Sequence, residues 1–359
     1  MKAAQYFGNR DIRVTDVPKP EPKVNEALVA IEWCGICGSD LHEYLIGPAV
    51  VPTKDRPHPA TGEHVPVTMG HEFCGRIVSA PEDSNLSPGQ AVIVDPRIYC
   101  GSCARCDDAI TNGCHTWGFK GFSGSGGGFS EAVAVGAKMC YPLPDSVDLK
   151  LAALIEPLVV AWHAIALVGI DDWSKQSVLI LGGGPVGIAH IFVLRAHGCK
   201  QIYVSEPATT RAEQNKLIAD KVFNPVQEDV GDECRKLTGG EGVDVVFDCA
   251  GLPKALDAGM NAVKFKGIYM NVAGWEQPMS LPFQYFMLKE LTVKASMAYD
   301  DRHFKETVDA FVAGKFKGAE SMITSTIHID DIVEKGFEEL VSNKDQHIKV
   351  LVTAHKDKL

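Results

Sequence analysis

The apolar positions of the chain follow one rhythm up to about residue 143 and another beyond it. In the first part, short runs such as EALVAIEW (26–33), GRIVSA (75–80), QAVIVDPRI (90–98) and EAVAV (131–135) are bounded by Pro, Gly, Ser and Asn. Runs of this kind predict strands separated by turns, folded over like a barrel rather than laid out as a βαβ array. The stretch from Leu45 to Thr68 is long and Pro-rich and predicts a loop lying over the rest. From 143 to 169, LPDSVDLKLAALIEPLVVAWHAIALVG predicts a long, largely buried helix. Strands then alternate with helices: SVLILGG before PVGIAHIFVLRAHG, QIYVSE before TTRAEQNKLIADKV, VDVVFDCAG before PKALDAGMNAVKF, then GIYMNVAG and LTVKASMA. That alternation predicts a parallel sheet with helices on both faces, and strands buried on both sides are continuously apolar, as VLIL and VDVVF are. Two more helical patterns, 301–315 and 330–344, precede the apolar strand IKVLVTA, which is expected to return to the first domain.

The predicted fold class is α/β, a doubly wound parallel-sheet domain over 158–298 beside a β-rich, barrel-like domain over 1–157 completed by 299–359. A chain of 359 residues exceeds what one core usually serves, in keeping with two domains. The formal charge of −11 argues against a nucleic-acid surface. No window approaches 18 uninterrupted apolar residues, so no membrane span is expected. MKAAQYFGNRDIRV lacks the apolar run of a secretory signal, and HKDKL matches neither KDEL nor SKL. The expectation is a cytoplasmic protein. Its 11 cysteines, an odd number, fit a reducing compartment, where clustered thiols are more often metal ligands than disulfides. Cys34, Cys74, Cys140, Cys199, Cys234 and Cys249 are scattered in apolar contexts and read as small buried hydrophobes.

VLILGGGPVGIAH carries Gly182-x-Gly184-x-x-Gly187 between a predicted strand and a predicted helix. In that setting the first glycine permits a tight turn, the second lets a pyrophosphate come close, and the third lets helix pack closely on strand. Pro185 suits the first helical turn, and with Val186 it belongs to the stretch whose N–H groups face phosphates. Glu206 ends the next strand, about 20 residues on, where a carboxylate accepts the ribose hydroxyls and repels a 2′-phosphate. The expected cofactor is therefore NAD rather than NADP. Arg211 reads equally as a neighbour of the adenine or as a surface charge.

Cys100, Cys103, Cys106 and Cys114 follow C-x2-C-x2-C-x7-C. Four thiolates at this spacing match a tetrahedral zinc site with no open position, which fixes a loop and binds no substrate. Cys37 and His42 in CGICGSDLHEY, His71 and Glu72 in MGHEFCG, and Glu156 in LIEPLVV are joined by no periodicity. Taken singly, they read at least as well as a core thiol, a surface histidine and solvated acids.

Taken together these motifs give the chain a resemblance, over nearly its whole length, to the zinc-dependent medium-chain alcohol/polyol dehydrogenases. Gly35-Ile-Cys-Gly-Ser-Asp-Leu-His42, Gly70-His-Glu72, the four-cysteine loop and the glycine fingerprint carry it. Within that family HEYLIGP, HPATGEHVP, GFSGSGGGFSE and EPLVVAWHA resemble most the 2,3-butanediol dehydrogenase branch. The resemblance implies a GroES-like catalytic domain, a Rossmann cofactor domain, a cleft between them, and two Zn²⁺ per subunit, one catalytic and one structural. It carries the catalytic metal to Cys37 and His71, with Glu156 where plain alcohol dehydrogenases have a cysteine. Glu72 is a further ligand candidate, so the division between Glu72 and Glu156 stays open. One thiolate, one imidazole and one carboxylate neutralise Zn²⁺.

The chemistry implied is oxidation of a secondary hydroxyl. The metal stabilises the alkoxide, Ser39 and His42 relay the proton, Asp40 orients the site, and hydride passes to a nicotinamide held near Asn271–Gly274, with Val272 against it. The partner is a small diol or hydroxyketone, most readily the 2,3-butanediol/acetoin pair, with a sorbitol- or xylitol-type polyol as the alternative. Its pocket is expected to draw on loop 45–68 and on GFKGFSG. A homo-oligomer, dimer or tetramer, is implied. A metal-free quinone or enone reductase of similar fold and a non-enzymatic zinc protein are the rival classes.

Overall fold

Strand Glu26–Gly35, which contains the EALVAIEW run, is buried everywhere except at Glu26 and Ala30. A strand so enclosed must be covered on both faces, and it is the axis of the first unit. It pairs antiparallel with Glu72–Ser79, Ala132–Gly136 and Lys349–Thr353. The full seven-stranded sheet runs Cys140–Pro142, Ala91–Val94, Glu72–Ser79, Glu26–Gly35, Lys349–Thr353 and Ile323–His328, with Ala132–Gly136 also on the central strand. Lys2–Gly8 forms a smaller sheet with Asp11–Asp16 and Val67–Thr68. This is the β-rich part of the chain. This computed structural model describes residues 1–275, 279–281 and 283–359. They divide into two compact units: Met1–Glu156 with Asp300–Gly314 and Gly318–Leu359, and Pro157–Tyr299 with Lys315–Lys317.

The second unit is a six-stranded parallel sheet in the order Lys221–Phe223, Gln201–Ser205, Ser177–Leu181, Val243–Asp248, Val263–Asn271, Thr292–Ala295. Strand order along the chain reverses between Ser177–Leu181 and Val243–Asp248. In a doubly wound sheet the crevice outside the carboxyl ends at that point receives the ligand. Every position of Ser177–Leu181 is buried, as the unbroken apolar run requires. Leu179, Val246, Met260 and Tyr269 belong to the core on one side of this sheet.

Three predicted elements differ. The long helix over 143–169 is a short turn Leu149–Ala152 followed by helix Ile155–Val168. Pro157 explains the break: it has no N–H for the carbonyl four residues back, so it is tolerated only in a first turn. The helix predicted over 209–222 stops at Lys216, and Lys221–Phe223 adds the outermost strand. The pattern at 330–344 is a 3₁₀ turn Ile329–Asp331, a π-helical stretch Ile332–Glu338 and a short helix Glu339–Asn343. There Gly336 presses on the sheet, where a methyl group would meet Ile36 Cδ1 at 2.8 Å. Of the six scattered cysteines, five are buried and Cys249 is half-buried. Among the described residues no helix is long and apolar enough to cross a membrane.

His190 lies wholly inside helix Pro185–Ala196. Its Nδ1 stands 2.7 Å from the Val186 carbonyl oxygen, and Nε2 has no partner among the described residues. Burial lowers its pKa to about 4. The unfolded chain therefore takes this proton first as the pH falls below about 6.5, and stability drains until about pH 4, by roughly 3 kcal/mol in all. Chemical denaturation across that range should show the loss, and His190→Leu should flatten it. An acid limb identical in the two proteins would contradict this assignment.

Candidate active site and metal centres

The four-cysteine loop is held at its base by strands Arg97–Ile98 and Gly118–Phe119, which pair antiparallel. Within it the sulfurs converge: Cys103–Cys106 3.6 Å, Cys100–Cys114 3.5 Å, Cys100–Cys106 4.0 Å and Cys103–Cys114 4.0 Å. Four sulfurs around a zinc at about 2.3 Å stand about 3.8 Å apart, so the set has the dimensions of a tetrahedral site. All four are free thiols. A backbone N–H at Ser102 and the Cys114 side chain lower the Cys100 thiol toward the thiolate a metal binds, while burial and the neighbouring Cys103 raise the Cys106 thiol. Loop and donors fit a closed, structural ion.

A second group lies in the same unit. Cys37 caps helix Gly38–Ile46, and its N–H donates to Asp40 Oδ2 at 3.0 Å. His71 and Glu72 lie at the start of strand Glu72–Ser79, where register sets Glu72 opposite Gly35. Ligating atoms of Cys37, His71 and Glu72 all fall within 4.8 Å of one another. Glu156, buried in the first turn of its helix, is not in that group. Ser39 Oγ stands 3.4 Å from His71 Nε2, and His42 follows three residues on, one helical turn along the same face. Asp40 Oδ1 faces His71 Nδ1 at 3.6 Å, too far for a hydrogen bond, and both atoms are buried without a hydrogen-bond partner among the described residues. Phe119 and Phe122, from the predicted GFKGFSG lining, pack on the His71 ring at 5.5 and 4.9 Å.

The electrostatics of this pocket call for a cation. Burial works against charge on His71, but Asp40 and Cys37 outweigh it and hold the imidazole well above its usual pKa. Orphaned His71 Nδ1 and Asp40 Oδ1 beside a thiol and a carboxylate fit a metal ligand with an orienting acid behind it.

Two residues here were not foreseen. Lys349 is buried, and its Nζ donates to both oxygens of Glu72 at 2.7 Å. A single charge in the apolar run IKVLVTA was the available signal. Glu43, also buried, accepts the backbone N–H of Ala49 and so anchors the start of the loop over 45–68. It reads as one more exposed acid of a helix, and its partner is set only by the loop's path.

In the second unit Gly182 has φ +91°, and a methyl group on Gly187 would meet the Gly182 carbonyl oxygen at 2.0 Å, so the turn and the helix packing both demand glycine. Gly184 caps the helix and Pro185 opens it, with Val186 next. Glu206 is buried and accepts the N–H of Gly183 at 2.7 Å and of Ala208 at 2.8 Å. Arg211 is half-buried beside the turn, its guanidinium 3.5 Å from where a Gly184 methyl would sit. Asn215 and Asp248 complete the frame unforeseen. Asn215 Nδ2 donates to the Gly183 carbonyl, and Asp248 accepts the N–H of Ala250 and Gly251, while the Val272 N–H donates to the Asp248 carbonyl. A cavity of about 530 Å³ opens here, lined by Gly182, Ser205, Pro207, Val226 and Leu252.

Residues 23–145 match the family described as alcohol dehydrogenase GroES-like domain, and residues 185–313 the family described as zinc-binding dehydrogenase. The chain is 37% identical to an (R,R)-butanediol dehydrogenase of Neisseria gonorrhoeae, over 98% of this chain and 99% of that one. It is 36% identical to an (R,R)-butanediol dehydrogenase of Saccharomyces cerevisiae, over 98% of each. Among solved structures, 2R,3R-butanediol dehydrogenase from Bacillus subtilis superposes with a TM-score of 0.91 at 34% identity, covering 99% of both chains.

Cys103→Ser tests the loop directly. Metal analysis should show one zinc fewer per chain, and Tm should fall by on the order of 5 °C. Unchanged zinc content would remove the loop from the metal inventory.

Proposed function

Because the chain belongs to the zinc-binding dehydrogenase family, we propose that it is an NAD-linked alcohol dehydrogenase that interconverts (R,R)-2,3-butanediol and acetoin: diol and NAD⁺ give hydroxyketone, NADH and a proton. The observation that carries the reading is the convergence of Cys37, His71 and Glu72 within 4.8 Å, in a chain matched from end to end by butanediol dehydrogenases. Held by Cys37, His71 and either Glu156 or Glu72, zinc supplies a Lewis acid that lets a hydroxyl proton leave near neutral pH, and NAD supplies the hydride acceptor.

The chain's own residues do the rest. Ser39, exposed beside His71, takes the hydroxyl proton and His42 passes it toward solvent. Asp40, its Oδ1 3.6 Å from His71 Nδ1, is the acid that orients the ring once the two close to hydrogen-bond distance. Phe119 and Phe122 exclude water from that ring. At the cofactor end the Gly182–Gly187 turn presents N–H groups to the pyrophosphate, and Glu206 receives the ribose hydroxyls and repels a 2′-phosphate. Arg211 flanks the adenine and Val272 backs the nicotinamide. On this reading the first unit is the catalytic domain, completed by the C-terminal residues, and the second is the cofactor domain.

Reduced thiols at both metal sites suit a reducing compartment, and the cytoplasm is the location this reading takes. Assembly into a dimer or tetramer would use the outer strand Thr292–Ala295. Val293 and Met297 are exposed there, with Phe283, Met287 and Leu288 exposed on the helix before it. A paired edge removes the hazard such a strand presents alone.

Steady-state kinetics on the butanediol stereoisomers and on sorbitol, with NAD and with NADP, test the reading. The (R,R) isomer with NAD should have the highest kcat/KM, and light scattering of the same sample should give a multiple of the single-chain mass. Preference for sorbitol would replace the substrate, preference for NADP would overturn the role of Glu206, and a single-chain mass would remove the assembly.

A further inference from the structure

The first unit holds a cavity of about 300 Å³ that is lined by none of the metal donors. Lys120 lies in its wall and is buried. The chain on either side sets its position. The Lys120 N–H donates to the Pro96 carbonyl at 2.7 Å, and at Gly121, with φ +91°, a methyl group would meet the Gly70 carbonyl oxygen at 2.3 Å. Phe119 and Phe122 turn to the His71 ring, and Lys120 turns to the cavity. Its Nζ donates to the carbonyls of Ser125 at 2.5 Å and Ala134 at 3.0 Å. An ammonium has three N–H donors, so one is left over. Among the described residues no carboxylate pairs with it. Burial pulls its pKa down to about 8 although Glu26 and Glu63 pull it up. At neutral pH the fold therefore keeps a buried ammonium without a counter-ion, which is costly until an anion joins it.

We propose that this cavity is a binding site for a small organic monocarboxylate, whose carboxylate takes the remaining N–H of Lys120 and whose apolar body lies against Ile98, Met139 and Tyr141. Charge in the wall supports a single negative charge. Arg97 is committed to Asp95 at 2.5 Å, Asp301 at 2.6 Å and Thr111 at 2.9 Å. That leaves Lys23, Lys120 and Lys138 against Glu26 and Glu63, a surplus of one positive charge. The two acids already have donors of their own: Glu63 accepts the N–H of Ser125 at 2.7 Å, and Glu26 accepts the N–H of Lys23 at 2.9 Å. Lys23 and Lys138 are exposed at the rim, and Lys138 Nζ lies over the Tyr99 ring at 5.0 Å, so their long side chains can fold onto a ligand. The Tyr141 hydroxyl has no hydrogen-bond partner among the described residues and offers a second donor. An apolar wall with a few convergent polar groups is what a small-molecule site of this volume requires.

The test needs neither substrate nor cofactor. Full-length protein carrying ¹³C at lysine Cε is titrated with sodium benzoate at neutral pH and constant ionic strength, and the Lys120 and Lys138 signals are assigned by their loss on substitution. Both signals should move together and saturate, with a dissociation constant on the order of 1 mM. Lys120→Met should abolish the movement at Lys138. Lys138→Gln should weaken the binding read at Lys120 by roughly two- to fivefold, the effect of one exposed charge, and Glu63→Gln, which removes an opposing charge, should tighten it by about the same factor. Should Lys120→Met fail to fold, the other two variants decide the matter: affinity changes of opposite sign support the site, and affinity unchanged in both overturns it. No saturable movement at Lys120 up to about 50 mM benzoate overturns the proposal, as does movement that sodium chloride reproduces. So does a Lys138 signal that still responds in Lys120→Met. Phenyl phosphate in a parallel titration separates the headgroups: binding about tenfold tighter than benzoate would overturn the monocarboxylate assignment in favour of a dianion.

Discussion

Cys37, Asp40, His71, Glu72 and Glu156 gather ligating and acidic groups in one interior region of the first unit, and Lys349 is the cation that the fold itself sets among them. Acids brought together out of water repel one another and lose their hydration, so such a cluster persists only with compensating positive charge. One ammonium answers one carboxylate. The remainder fits a divalent ion, and the orphaned atoms of His71 and Asp40 point the same way. The arrangement of the sheet follows from this need. The return of the last strand, Lys349–Thr353, to the central strand brings the lysine in from the far end of the sequence.

The two sets of metal donors illustrate different uses of the same chemistry. On the proposed reading, four sulfurs would saturate a tetrahedral ion and leave nothing to react, so the loop 100–114 would serve as a clamp. At Cys37 and His71 the donors are fewer and mixed, and an unfilled position is what catalysis requires. The second unit contributes by backbone rather than by side chain. Gly182, Gly184 and Gly187 strip a turn down to its N–H groups, and Glu206 holds that turn through Gly183.

Much of this was legible in the sequence. The glycine fingerprint and the four cysteines lie close together in the chain, so their spacing alone carries the geometry. The parallel strands were legible as unbroken apolar runs, and the outermost one, Lys221–Phe223, was not, because three residues after a polar helix carry no period. Pro157 was visible, yet the helix pattern around it hid that it marks a beginning. Cys37, His71 and Glu72 carried no joint signal, since the pairing of Gly35 with Glu72 across the sheet, and not sequence distance, brings them together, and Glu156 lies on a separate helix. For the same reason Lys349 looks like one more position of an apolar strand, although a lysine in such a run has to be paired. Glu43 and Asn215 depend on where loops and turns pass, which local pattern does not encode.

Zinc K-edge X-ray absorption on the purified, substrate-free protein tests the central claim most directly. One four-sulfur site and one site with a single sulfur average to about 2.5 sulfurs per zinc at about 2.3 Å, with nitrogen and oxygen neighbours at about 2.0–2.2 Å. Conversion of Cys37 to serine should lower the average further or raise it to four if the ion is lost. An average of four sulfurs in the unaltered protein would mean that only the cysteine loop holds metal, and the account of the active site would be wrong.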